Sequence, residues 1–126
     1  MREIIETNKA PEVVGPYSQA VRYENLLFLS GQVSINPDSG KLEKGTVKEQ
    51  TKLALTNINA VLEAAGSNLD GVLKCNVYLS NIDDFNEMNE VYKEFFQGSY
   101  PARLCVSKVD IFGGLAVEID VIAAVK

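Results

Sequence analysis

The chain has no histidine and no tryptophan, and only two cysteines, four prolines and three arginines in 126 residues. Each shortage removes a class of chemistry. Without an imidazole, neither a Ser/His nor a Cys/His nucleophile pair can be assembled. Cys75 and Cys105 stand 30 positions apart with no histidine between them, so the clustered ligands of a zinc site are missing and two reduced thiols are expected. The longest aliphatic run, Val121 to Val125, is five residues, and the N-terminal "MREIIETNKAPE" has no apolar core. Neither a membrane span nor a signal peptide is expected, and the expected location is cytoplasmic. Basic residues number 12 against 17 acidic ones, for a net charge of -5. A sparse, scattered set of cations is poorly suited to nucleic acid, whose binding rests on Lys/Arg contacts to phosphate. Chemistry, if present, must run on carboxylates, arginine, hydroxyls, backbone or bound water.

What is present reads as one soluble domain spanning 1-126, with 46% apolar and 23% charged residues. A chain of this length buries about two thirds of its unfolded surface and needs no staple. The stretch "TVKEQTKLALTNINAVLEAAG" has Thr46 and Glu49 at capping-box spacing, then Val47, Ala54, Ile58, Val61, Leu62 and Ala65 at helical intervals before Gly66. A second helix, in "DDFNEMNEVYKEFFQG", starts at Asp83 or Asp84, carries Phe85, Met88, Tyr92, Phe95 and Phe96 on one stripe, and stops at Gly98. Elsewhere the period is two, in "REIIET", "YSQAVRY", "LLFLSGQVSI", "VLKCNVYLS", "RLCVSKV" and "LAVEIDVIAAV". Six strands and two helices make an α+β two-layer sandwich, a mixed six-stranded sheet with both helices on one face.

Alternation then sorts residues between faces. If Leu104 and Val106 point toward the helices, Arg103, Cys105 and Ser107 point away from them. A hairpin through "DIFGG" would place Glu118 and Asp120 on that same uncovered side, together with Ser30 and Gln32. The uncovered side also carries Phe28, Tyr78, Ile122 and Ala124, too apolar to leave bare, so a homo-oligomer with clefts between subunits is expected.

Several residues on or near this face have two readings each. Arg103, preceded by Pro101-Ala102, is either a carboxylate receptor, because guanidinium offers a planar fork of donors, or the partner of Glu118 or Asp120 in a salt bridge. Glu118, in an apolar run, either orients a water or is an edge-strand carboxylate. Cys105 is a packed thiol beside a site rather than a nucleophile, since no activating group is visible. Asn89, on the apolar stripe of the second helix, needs hydrogen-bond partners and is read as bonding the loop before Arg103. Gly15-Pro16 leads rigidly into Tyr17, and Ser30-Gly31 interrupts a strand where a close approach of ligand or backbone is common.

The segments "GPYSQA" at 15-20, "SGQ" at 30-32, "NINAVLEAAG" at 57-66, "YPARLCV" at 100-106 and "EIDVIAA" at 118-124 closely resemble the RidA/YjgF family, in the same order and spacing. The resemblance implies a chorismate-mutase-like subunit in a homotrimer with sites at the subunit interfaces. It also implies cofactor-free, metal-free hydrolysis of the imine and enamine acids 2-iminopropanoate and 2-iminobutanoate to 2-oxo acids and ammonia. By the same resemblance, Arg103 holds the substrate carboxylate and Glu118 serves the attacking water. Cys105 lines the site with its backbone, Tyr17, Ser30 and Gly31 form the pocket wall, and Asn89 lies beside it. The loop "VDIFGGLA" departs from the proline-containing loop of many relatives, which bears on substrate size. The family also includes members linked to metabolite sensing and an older endoribonuclease label. The acidic charge and the missing histidine weigh against the latter.

Overall fold

A computed structural model describes residues 1–126. Thr46 opens the first helix, α1 (Val47–Ala64), with a reciprocal capping box: its hydroxyl accepts from Glu49 N at 3.2 Å, and Glu49 Oε1 accepts from Thr46 N at 2.8 Å. Gly66, at φ 79°, ends it in the left-handed region that glycine tolerates without strain. Ala54, Leu55, Ile58, Val61 and Leu62 are fully buried along one stripe. The second helix, α2 (Phe85–Phe96), follows a 3-10 turn at Ile82–Asp84 whose start is capped by Asn81, the side chain of which accepts from Asp83 N at 2.9 Å. Asp84 itself makes no side-chain cap, so the aspartates at the helix start act through charge near the N-terminus.

The strands are β1 (Glu3–Ile5), β2 (Ala20–Tyr23), β3 (Leu26–Leu29), β4 (Val72–Leu79), β5 (Ala102–Val106) and β6 (Val117–Ala124). They form one sheet in the order β1-β2-β3-β6-β4-β5, antiparallel except for the parallel β4/β5 pair. The hairpin expected between the last two strands does not form. β6 instead lies at the sheet centre, between β3 and β4. Its Val117, Ile119, Val121 and Ala123 are all buried under the helices, and a strand with that much apolar side chain gains most from neighbours on both edges.

The face assignment of β5 is also reversed. Arg103 lies beside Cys75, and Cys105 beside Val77, in parallel register, and Cys75 and Val77 are core residues on the helix side. Arg103 and Cys105 therefore belong to the helix layer. Leu104 and Val106 share the open face with Asn76 and Tyr78. The physical reason lies in the open face itself: Ile4, Val21, Phe28 and Ile122 stand in register as one apolar row across four strands. Apolar residues on β5 have an apolar surface to join on that side as well. The edge position of β5 lets a long guanidinium side chain reach out from the helix layer along its margin.

Two smaller departures have local causes. A register shift between Val72 and Lys74 turns Leu73 outward, 51% exposed, where strict alternation placed it inside. β3 ends at Leu29, and beyond it only the Gln32/Ile119 bridge keeps contact with the sheet. Val33 consequently packs with Ile111 and Leu115 in a second small core rather than in the main one.

Candidate functional site

Arg103 is held from three sides by α2. Its Nη1 donates to Asn89 Oδ1 at 2.7 Å, and its guanidinium carbon lies 4.7 Å from the Tyr92 ring centre and 5.6 Å from that of Phe85. Asn89 thus bonds the guanidinium directly, not the loop before it. Stacking on aromatic faces costs little hydration for a guanidinium and fixes its plane. No carboxylate pairs with it: the ion pairs of the chain are Lys48 with Glu90 at 2.6 Å and Lys126 with Asp70 at 4.0 Å. Of the five N–H donors on the fork, one is used internally. A cleft of about 560 Å³ lined by Asn86, Asn89, Tyr100, Pro101 and Arg103 opens onto the rest.

Behind this platform sit two neutral groups. Burial pushes the Cys75 thiol up to about 11, and the Tyr92 hydroxyl facing it is also raised, by burial first and then by that thiol. Cys105 is half-buried against the main core, and desolvation raises its thiol against the opposing pull of Arg103. A raised thiol is a poor nucleophile at neutral pH, in keeping with a packing role.

Glu118 lies on the opposite face of the sheet, paired across β4 with Tyr78. It lines a second cleft of about 460 Å³ with Tyr17, Ser30, Gly31, Ile35 and Phe112. The N-terminal loop that closes this cleft is tied down by one buried side chain, Gln19. Its Nε2 donates to Pro11 O at 2.8 Å and Thr7 O at 3.0 Å, and its Oε1 accepts from Thr7 N at 2.7 Å. Ser30 joins the same loop, its N donating to Gln19 O at 3.0 Å and its Oγ to Ser18 O at 2.6 Å. Tyr17 follows the turn closed by its own N on Gly15 O at 2.9 Å.

Gln32 and Ile119 exchange backbone hydrogen bonds at 2.8 and 3.0 Å, which presses the Gly31 backbone against β6. A Cβ at Gly31 would collide with the Glu118 carboxylate, so glycine is what lets that carboxylate lie flat beside the chain. Desolvation, and secondarily the neighbouring Asp120, raises the Glu118 carboxyl above its ordinary range. Asp120 is itself anchored, accepting from Asn76 Nδ2 at 2.7 Å.

The structure therefore brings Tyr17, Ser30, Gly31 and Glu118 together in one cleft and Asn89 and Arg103 together in another, with Cys105 beside the second. It does not unite the two groups within one chain. The clefts share no lining residue, and the sheet lies between Arg103 and Glu118. Sequence reasoning counted Phe85 and Tyr92 as plain core. The signal was their spacing, four residues before and three after Asn89, which puts both rings on the face of α2 that carries the asparagine. No three histidine, cysteine, aspartate or glutamate side chains converge as a metal-binding group. No helix is long and apolar enough to cross a membrane.

A sheet with two helices on one face, an unpaired guanidinium mounted on aromatic rings and a desolvated carboxylate in a separate cleft define a small α+β domain whose guanidinium has donors free for an anionic group. Residues 7–125 match the family described as Endoribonuclease L-PSP, and the chain belongs to this RidA/YjgF family. It is 46% identical over 122 residues to a RutC family protein of Pyrococcus abyssi, covering 97% of this chain and 96% of the relative. It is 46% identical over 123 residues to the 2-iminobutanoate/2-iminopropanoate deaminase of Bos taurus, covering 98% of this chain and 90% of that protein. The crystal structure of E. coli TdcF with bound serine is similar with a TM-score of 0.93 and 37% identity, over 98% of this chain and 99% of that one.

Proposed function

We propose that this protein is a cofactor-independent deaminase that hydrolyses short-chain imine and enamine acids, such as 2-iminobutanoate and 2-iminopropanoate, to 2-oxo acids and ammonia. The observation that carries the reading is Arg103, whose planar fork is oriented by Asn89, Tyr92 and Phe85 and has no carboxylate of its own to bind. Such a group receives an external carboxylate. The deaminase named above is a full-length relative, and serine, the molecule bound by TdcF, carries a carboxylate.

The two separate clefts give the proposal its assembly. Arg103 and Glu118 of one chain face opposite ways, so a site using both is completed between copies. Arg103, Asn89 and the Cys105 backbone come from one subunit, and Glu118, Tyr17, Ser30 and Gly31 from the next. Two different patches meeting head to tail form a ring when the rotation between neighbours closes, and an open filament when it does not. A homotrimer in which the apolar row through Phe28 and Ile122 is covered satisfies that requirement.

Within that site, Arg103 holds the substrate carboxylate and leaves the C=N carbon beside Glu118. An imine carbon is already electrophilic, the more so when protonated. Glu118 accepts a proton from an attacking water, and the C–O bond forms as the C=N π pair moves to nitrogen. The carbinolamine then loses ammonia, after proton transfer to its nitrogen, to leave the 2-oxo acid.

The test couples the protein to a threonine dehydratase and follows ammonia and 2-oxobutanoate. Acceleration over buffer is expected, and its absence rules out the reading, leaving a carboxylate-binding module without turnover. Light scattering after size exclusion is expected to report three chains. A monomer at micromolar concentration removes the shared site.

A further inference from the structure

We infer that Phe112 determines specificity by receiving the side chain of the substrate, extending turnover from the short-chain imino acids to those with larger apolar or aromatic side chains. This inference rests on the deaminase reading above and adds to it the third substituent of the reacting carbon. That carbon bears a carboxylate, a nitrogen and a side chain. Arg103 takes the first, and the water served by Glu118 approaches the carbon that carries the second. The side chain must then meet the more apolar part of the Glu118 cleft, a wall made by Val14, Ile35, Phe112 and the ring of Tyr17.

Phe112 is the most conspicuous member of that wall because of how it is mounted. It is 61% exposed, yet its neighbours Ile111 and Leu115 are 8% and 1% exposed and packed on Val33 in the second small core. Between those anchors, Gly113 and Gly114 adopt φ of 68° and 72°, and Gly114 N donates to Ile111 O at 2.9 Å. A Cβ at Gly113 would run into the side chain of Leu42, so the turn is also closed from behind. A ring held outward by two buried anchors and two left-handed glycines is presented, not stranded. A methyl group on the substrate makes little contact with such a ring, whereas an isobutyl or benzyl group covers it.

The experiment generates imino acids in situ from alanine, leucine and phenylalanine with an amino-acid oxidase and catalase, and compares their hydrolysis by the parent and by Phe112→Ala and Phe112→Leu. In the Ala variant, kcat/KM is expected to fall about ten-fold for the leucine- and phenylalanine-derived imines and less than about two-fold for the alanine-derived one. The Leu variant is expected to recover most of the leucine-derived activity and little of the phenylalanine-derived activity. An equal loss on all three substrates, no loss on any, or dissociation of the oligomer on substitution overturns the inference. The last outcome would make Phe112 an interface residue. A parent chain that accelerates none of the three overturns the deaminase reading itself, whereas a parent active on all three with unchanged selectivity in both variants overturns only the role of Phe112.

Discussion

Gly31→Ala isolates the placement of one carboxylate. The backbone at Gly31 is in a region any residue can adopt, so alanine meets no conformational penalty there. Its Cβ would stand 3.0 Å from Glu118 Cδ and 3.2 Å from Cγ and would overlap a carboxylate oxygen. Carbon atoms rest comfortably at about 3.5 to 4.0 Å, so the carboxylate must swing aside by about 1 Å or more. Because only the far end of a flexible side chain moves, stability is expected to change by no more than about 0.5 kcal/mol. A displacement of that size at the reacting carbon is expected to lower kcat about 100-fold, or about 2.7 kcal/mol of barrier, while KM changes little because Arg103 still holds the substrate. The coupled dehydratase assay reads both parameters, and light scattering checks the assembly. The whole effect passes through Glu118, so adding Gly31→Ala to Glu118→Gln should cost nothing further. A kcat within two-fold of the parent, in a protein that remains assembled, would refute the reasoning.

Four further outcomes are expected. Arg103→Lys keeps the charge but loses the planar fork and the aromatic stacking, and should raise KM about ten-fold or more. Arg103→Ala should abolish measurable turnover in a folded protein, and full activity in it removes arginine from the mechanism. Glu118 has a raised pKa in the folded state, so its protonated form is favoured by folding. That stability is present at low pH and is lost as pH rises through the raised value. Glu118→Gln should therefore melt higher than the parent at pH 7, with the gap closing as the pH falls below the ordinary carboxylate range, and a lower melting temperature at pH 7 would contradict this. Cys75 is fully buried with its thiol pushed up to about 11, so a thiol reagent should modify it only after unfolding. Its labelling in the native protein, read by mass spectrometry of the peptides, would show the core opening.

The sequence made the helices legible because their signals are local. The Thr46/Glu49 box and the run from Ala54 to Leu62 involve neighbours three and four apart. Strand alternation was equally legible in β6, where Val117 to Ala123 alternate without a break. Alternation says which residues share a face, but not which layer that face meets. On β5, Leu104 and Val106 looked core-facing because they are apolar, but the open side of the sheet is apolar too. The central place of β6 was hidden for a different reason, since strand order is set by long-range pairing that no local pattern records.

Of the candidate site, Arg103, Glu118, Tyr17, Ser30, Gly31 and Asn89 could be picked from the chain, whereas their distribution over two clefts could not. The salt bridge from Arg103 to Glu118 or Asp120 was a reading only while the three were assigned to one side of the sheet. Phe85 and Tyr92 escaped notice because an aromatic stripe on a helix is usually core, and here the same rings also carry a cation on their outer face.

A sheet that keeps Arg103 and Glu118 on opposite sides has a genetic consequence. In the proposed ring, each reaction uses the arginine of one gene copy and the glutamate of another, so two defective alleles can rescue each other. Arg103→Ala and Glu118→Gln chains, each inactive alone, would regain one intact site in every mixed trimer. Random equal mixing would restore about a quarter of the parental activity. A chain carrying both substitutions would rescue neither, because it would arrive at its neighbours with nothing to lend.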